Sequence, residues 1–334
     1  MNRKNLISII IGLVIGILLL GIWLWVNPLH EIQANFRNLQ FPWVALAAFV
    51  YLFAYFVRSC RWRLLIPSPA EPGVLRTWLY AMGGNLLNYL IPIRIGDLAR
   101  AWFIKRNHQV PLARALPSVF IDKAFDTIAI MVIIIILPFT AIDLSLAMMI
   151  LLGLLLIVFL ITVVLLVLAA SRKELVTNIL QYPVKFLPNR FSTKLNTGIS
   201  TFVAELNLFE HHPGRLLLAV VYTAVGIMLD GLYFFLLFKA FGIDYSYPLA
   251  LLGYTLINLS YALPQPPAQL GSNEWMMIII FSVGFGLTKS TASAIMAFAH
   301  ILTALLMSFW GAIAFLRLGP ELIHKIFKGE KIDD

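Results

Sequence analysis

Residues 84–100 read GNLLNYLIPIRIGDLAR, and residues 257–274 read INLSYALPQPPAQLGSNE. Each is an apolar half-helix, then a proline-broken turn, then a glycine shortly followed by a carboxylate. Asn85, Pro92, Gly96 and Asp97 in the first stretch echo Asn258, Pro264, Gly271 and Glu274 in the second, with unequal spacing. Proline lacks the backbone N–H and clashes with the preceding turn, so both helices must break. In an otherwise apolar chain, broken backbone is tolerated only where protein or a water-filled cavity surrounds it. Two such breaks are therefore the candidate functional segments.

The surrounding composition sets the environment. Apolar residues make up 60% of the 334 and charged residues 12%, against about 45–50% and 25% in soluble domains. The apolar runs are long and continuous, as in LLGLLLIVFLITVVLLVLAA (151–170). About 20 such residues cross the hydrocarbon as a helix, whereas an outer-membrane barrel needs alternating segments of about ten. The lone cysteine, Cys60, excludes an internal disulfide and any multi-cysteine site.

The expected fold class is all-α: a polytopic integral membrane protein with about six spanning helices and two re-entrant, Pro-broken hairpins in a candidate inverted repeat. The whole chain, 1–334, is expected to be one membrane domain. Its spans are expected at 6–26, 43–65, 115–139, 144–170, 216–238 and 290–316, its re-entrant units at 74–108 and 249–287, and an amphipathic cytoplasmic connection at 171–212. The run 6–26 is too long for a signal-peptide core and reads as a retained span. All but three of the 25 Lys and Arg (Arg37, Lys239 and Lys289) then fall on the inner side. That distribution leads us to expect both termini in the cytoplasm, and it accounts for the net charge of +9 without nucleic acid.

Several polar residues are candidates for lining a lipid or substrate path. Asn85 and Asn88 share a helix face and can satisfy carbonyls freed by the break. Arg94 and Arg100 suit a lipid phosphate, since a planar guanidinium pairs bidentately with phosphate oxygens; the plainer reading is snorkelling at the interface. Asp97 and Arg100 stand at i, i+3, which allows a salt bridge. Asp122 reads as an interfacial helix start, and Asp126, deeper, as a partner for an arginine of the first hairpin. Arg58, Arg61 and Arg63 read as snorkelling at an inner helix end. Asp230 lies within a span and is either functional or the partner of one arginine. Asn258, Glu274 and His300 complete the set. Glu274 opens a half-helix, and His300 is of the residue type whose ordinary titration lies near neutrality; its plainer reading is a hydrogen-bonded packing residue.

No phosphate-binding Gly-rich loop, zinc-type His-Glu-x-x-His or intramembrane protease motif is present. The expectation is accordingly no enzyme, no catalytic residues, no cofactor and no metal.

At 83–126 and 264–274 the chain resembles the flippase-like family, also called the lysylphosphatidylglycerol synthase transmembrane domain family. Its first motif, N-x-x-x-P-x-R-x-G-[DE]-x-x-R, stands here as Asn88, Pro92, Arg94, Gly96, Asp97 and Arg100. The acidic–basic cluster that follows, often Glu-Arg-x-x-Asp, reads Asp122, Lys123 and Asp126. The late motif, P-x-P-G-x-x-G-x-x-E, stands as Pro264, Pro266, Gly271 and Glu274, with Pro267 and Ala268 in place of the usual Gly. Where the family often has an arginine in its last helix, this chain has His300. The resemblance implies a prokaryotic plasma-membrane protein of lipid-flippase type. It implies membrane lipids as partners, anionic or with a lipid-linked head group. A homo-oligomer or a separate lipid-modifying enzyme is a further partner considered. Longer members carry a soluble synthase domain, which is not expected here, so the synthase activity is not carried over. The alternatives left open are a secondary transporter of a small solute and a non-transporting scaffold for envelope lipid enzymes.

Overall fold

The computed structural model describes residues 3–66, 72–91, 95–136, 213–261 and 265–318, with isolated positions between 146 and 200. The described residues are all helical or in turns, without strands, as an α-helical polytopic membrane protein requires. The expected span 144–170, the connection 171–212, and Pro92, Arg94 and Pro264 lie largely or wholly outside them.

Helix α1 (Arg3–Val26) bends by 79° at Asn27–Pro28 into α2 (Leu29–Asn35). Pro28 forces the corner and the Asn27 amide caps the Trp23 carbonyl at 2.9 Å. Helix α3 (Phe41–Leu65) opens with Pro42 in its first turn, where its missing N–H costs nothing. Then follow α4 (Val74–Leu90), α5 (Ile95–His108), α6 (Leu112–Ile136), α7 (Pro213–Ala240), α8 (Tyr247–Ser260), α9 (Ser272–Met277), which continues through a π-helical turn at Ile278–Gly284, and α10 (Lys289–Leu318). By length and apolarity α3, α7 and α10 can each cross a membrane, and so can the bent α1–α2 pair. Helix α6 is as long as α3, but Asp122, Lys123 and Asp126 interrupt its apolar run. Side chains such as Leu18, Leu217 and Leu305 stand more than half exposed, as helices facing hydrocarbon do.

The hairpins are built by close backbone approach. A Cβ on Gly96 would lie 1.8 Å from the Gly84 carbonyl oxygen, so α4 and α5 cross where only glycine fits. In the second hairpin Gly271 adopts φ +74° against Leu19 and Leu20 of α1, and the Trp275 indole donates to the Leu19 carbonyl at 3.0 Å.

Helices α3 and α7 form the most extensive pair and run antiparallel: Gln40 meets Ala240, Tyr51 meets Tyr233, Arg58 meets Asp230 and Arg61 meets Thr223. One apolar core, around Tyr233, Phe234, Phe238, Leu252, Phe281 and Met296, holds the second hairpin. A second core, around Trp62, Tyr80, Trp102, Phe103, Ile104 and Phe315, holds the first. Along α3, α6 and α10, the segment between the two cores carries the polar residues: Arg58 and Arg61, Asp122 to Asp126, and His300 to Thr303.

Candidate functional site: a polar cleft between two broken hairpins

The lower wall of this polar layer is an ion-pair network. Arg61 is fully buried. Its Nε donates to Asp122 Oδ1 at 2.8 Å, one terminal nitrogen to Thr223 at 3.0 Å, and the other to Asp126 Oδ1 at 2.8 Å and to the Asp122 carbonyl at 3.0 Å. Arg100 reaches Asp122 Oδ2 at 2.7 Å and lies over the Trp62 ring at 4.0 Å. Arg58 grips Asp230 with both terminal nitrogens, one at 2.9 Å to Oδ1, and stands 3.5 Å from Asp126. The network ties α3, α5, α6 and α7 together, and its formal charges cancel.

Four expectations change here. Arg58 and Arg61 do not snorkel, because the end of α3 is roofed by the first hairpin and α6, so the nearest charges to reach are aspartates. Asp122 is no interfacial helix start: α6 begins at Leu112, which carries Asp122 into the buried interior. Asp126 pairs with α3 rather than with the first hairpin. Asp97 and Arg100 do not pair with each other. Asp97 faces Lys123 at 3.8 Å and Asn88 at 3.4 Å, because Asp122 is the better-placed partner for Arg100.

Asn88 does the reverse of what was expected. Its Oδ1 accepts from the Gly96 N–H at 2.8 Å, closing the first hairpin across its break rather than serving a freed carbonyl. In the second hairpin the turn holds Ala268 and Gln269 at φ 55°, a left-handed conformation that β-carbons disfavour by about 1–2 kcal/mol per residue. Gln265 and Ser260, and Asn273 and Gln269, brace it by hydrogen bonds of 2.7 and 2.9 Å.

His300 of α10 joins the hairpins. Its Nδ1 lies 2.6 Å from Glu274 Oε1, and its Nε2 lies 2.7 Å from the Ala268 carbonyl and 2.9 Å from the Tyr89 hydroxyl. These contacts tie α10 to the turn and half-helix of the second hairpin and to Tyr89 of the first. Glu274 is buried, and its Oε2 has no hydrogen-bond partner among the described residues.

Between these walls lies a cleft of two adjoining lobes, of about 180 and 260 Å³. The upper lobe is lined by Asn88, Tyr89, Gln265, Gln269, Asn273 and His300, and the lower by Arg58, Asp126, Thr127, Thr223 and Asp230. Asn85, Lys123, Asn258 and the tyrosines 51, 55, 254 and 261 line both. Asn85 and Asn258, the corresponding positions of the two hairpins, thus stand at the middle of the cleft. Of the ten sequence candidates, Asn85, Asn88, Asp126, Asp230, Asn258 and His300 line it. Glu274 reaches it through His300. Arg100 and Asp97 stand behind the wall, and Arg94 is outside the described residues. The tyrosines were not anticipated. Tyr51, Tyr55 and Arg58, and again Tyr254, Asn258 and Tyr261, follow an i, i+4, i+7 pattern on one helix face. That spacing is the signal which marks them.

With this geometry in hand, the family described as "Lysylphosphatidylglycerol synthase TM region" matches residues 9–311, and the chain belongs to it. Among curated relatives, a UPF0104 membrane protein of Methanothermobacter thermautotrophicus is 23% identical over 309 residues, 89% of each chain. Another from Methanocaldococcus jannaschii is 22% identical over 229 residues, 69% of this chain and 92% of the relative. Glycosyltransferase AglD of Haloferax volcanii is 26% identical over 129 residues, 37% of this chain, and the match spans a fifth (20%) of that protein's length. No solved structure matches.

Proposed function

We infer that this membrane protein moves the polar head group of a lipid between leaflets of the plasma membrane through the cleft, with both termini cytoplasmic and without covalent chemistry of its own. The observation that carries this reading is a polar cleft inside a lipid-embedded helical protein, lined by both broken hairpins and centred on Asn85 and Asn258. A buried polar group without a partner costs about 1–3 kcal/mol, so a fold retains one where a ligand uses it. The Tyr233 hydroxyl, Asn273 Oδ1 and Glu274 Oε2 are such groups beside the cleft, which favours a path over a scaffold whose polar groups are all mutually satisfied. The ion-pair network acts as the rigid floor. The His300–Glu274–Tyr89 junction acts as the latch between hairpins. Glycosyl transfer, suggested by one relative's name, is not carried over, since that name describes a protein of which this chain matches a fifth.

The test is transfer of head-group-labelled lipids in reconstituted vesicles, with Glu274→Gln and Tyr89→Phe alongside. Transfer by the unaltered protein, reduced about tenfold or more in Glu274→Gln, is the expected result. Absence of transfer for every lipid, with folded protein in the vesicles, overturns the reading.

A further inference from the structure

The balance of charge in the cleft bears on what it accepts, given that it is a lipid path at all. Among the described residues, its lining cations, Arg58 and Lys123, already face Asp126, Asp230 and Asp97. Glu274 is matched by His300. A head group with net charge would leave water and meet no net opposite charge among the described residues, and moving an uncompensated ion into such a site is costly.

What the cleft offers in surplus is neutral hydrogen-bonding capacity. Asn85 and Asn258 each carry two donors and an acceptor, and neither side chain is hydrogen-bonded to another described residue. Tyr233 is 1% and Asn273 4% exposed, both line the upper lobe, and the hydroxyl of the first and Oδ1 of the second have no partner. The rings of Tyr51, Tyr233 and Tyr254 meet at centroid distances of 5.2 and 5.6 Å, giving an apolar wall beside these groups. Paired amides and hydroxyls set beside aromatic faces match a ring that presents hydroxyls at its rim and C–H groups on its faces. The two lobes together fall within the roughly 300–1,000 Å³ of small-molecule sites.

Resting on the lipid-moving reading, we propose that the cleft selects an uncharged, hydroxyl-rich head group, a carbohydrate, over anionic or cationic phospholipid head groups, with Asn85 and Asn258 as its central pair of hydrogen-bonding amides. Substrate hydroxyls bridge the two hairpins through these amides, so binding itself draws the corresponding halves of the molecule together.

The experiment uses the full chain in phosphatidylcholine vesicles carrying trace acyl-labelled glucosyl-diacylglycerol, phosphatidylglycerol or lysyl-phosphatidylglycerol, and in a fourth arm radiolabelled glucose outside. Glucosyl-diacylglycerol should cross about tenfold faster than either charged lipid, and an Asn85→Leu/Asn258→Leu variant should lose that advantage. Selectivity is read on the unaltered protein, so it does not depend on the variant folding. Charged lipids crossing as fast as the glycolipid overturn this inference while leaving the lipid path intact. Uptake of glucose without lipid transfer supports carbohydrate recognition and overturns the lipid path. No transfer in any arm overturns both.

Discussion

At the scale of single residues, Arg61 decides the most. Four hydrogen bonds at 2.8–3.0 Å leave its fully buried guanidinium satisfied. A buried ion cluster adds little net stability, but removing one member leaves its partners uncompensated, at about 3–5 kcal/mol. Arg61→Met should therefore lower the thermal midpoint in detergent by about 5–10 °C. Arg61→Lys should recover little of it, because a point charge cannot reproduce the fork that reaches Asp122, Asp126 and Thr223 together. An unshifted midpoint in Arg61→Met would remove the network from the scaffold. This role was not legible in the sequence. Position near a helix end predicts snorkelling, and the local sequence does not show that the following hairpin and α6 fold back over that end. Asp230 was more legible, since a carboxylate inside a span has few options other than function or an arginine.

At the scale of elements, the hairpins were legible because prolines and glycines punctuate them. The apolar run between Arg76 and Arg94 is short, and α4 ends at Leu90. What the chain does not announce is the mate of each glycine. Gly96 lies against the Gly84 carbonyl oxygen and Asn88 Oδ1, where a Cβ would come to 1.8 and 2.7 Å. A backbone carbonyl held in a helix cannot swing aside. Gly96→Ala should cost at least the ~1–3 kcal/mol of ordinary overpacking and also break the Asn88 contact that closes the hairpin. Gly21, toward the C-terminal end of α1, has nothing within 4 Å of such a Cβ, so Gly21→Ala should be neutral or gain up to about 1 kcal/mol from helix propensity. Unfolding midpoints of the two variants, measured side by side, check the pair. Equal midpoints would mean that the crossing of α4 and α5 is looser than the structure has it. The π-helical turn at 278–284 had no sequence signal: an apolar run reads as continuous helix whichever hydrogen-bond register it adopts.

At the scale of the whole molecule, the helices pair as a twofold repeat requires. Taking α3–α6 and α7–α10 as the two units, α3 packs on α7, α4 on α10 as α8 on α6, α3 on α4 as α7 on α8, and α5 on α6 as α9 on α10. Only the weak echo of Asn, Pro, Gly and carboxylate was legible, because a shared backbone plan tolerates nearly any apolar side chain on its lipid and core faces. Since α3 and α7 run antiparallel, the inverted-repeat reading has the two units oppositely oriented in the membrane and expects their hairpins to enter from opposite faces. Their entry points are Gly73, exposed with open space around it, and the exposed Ser246. The arginines near Gly73 (Arg63 and Arg76) are the reason to expect that end in the cytoplasm. In a Cys60→Ser background, a cysteine at position 73 should react with a membrane-impermeant maleimide only after the cells are permeabilised. A cysteine at position 246 should react in intact cells. Labelling of both from the same side would refute the inverted arrangement. It would also separate Asn85 from Asn258 as symmetry mates, because two hairpins entering from one face cannot meet head-on at the centre of one cleft.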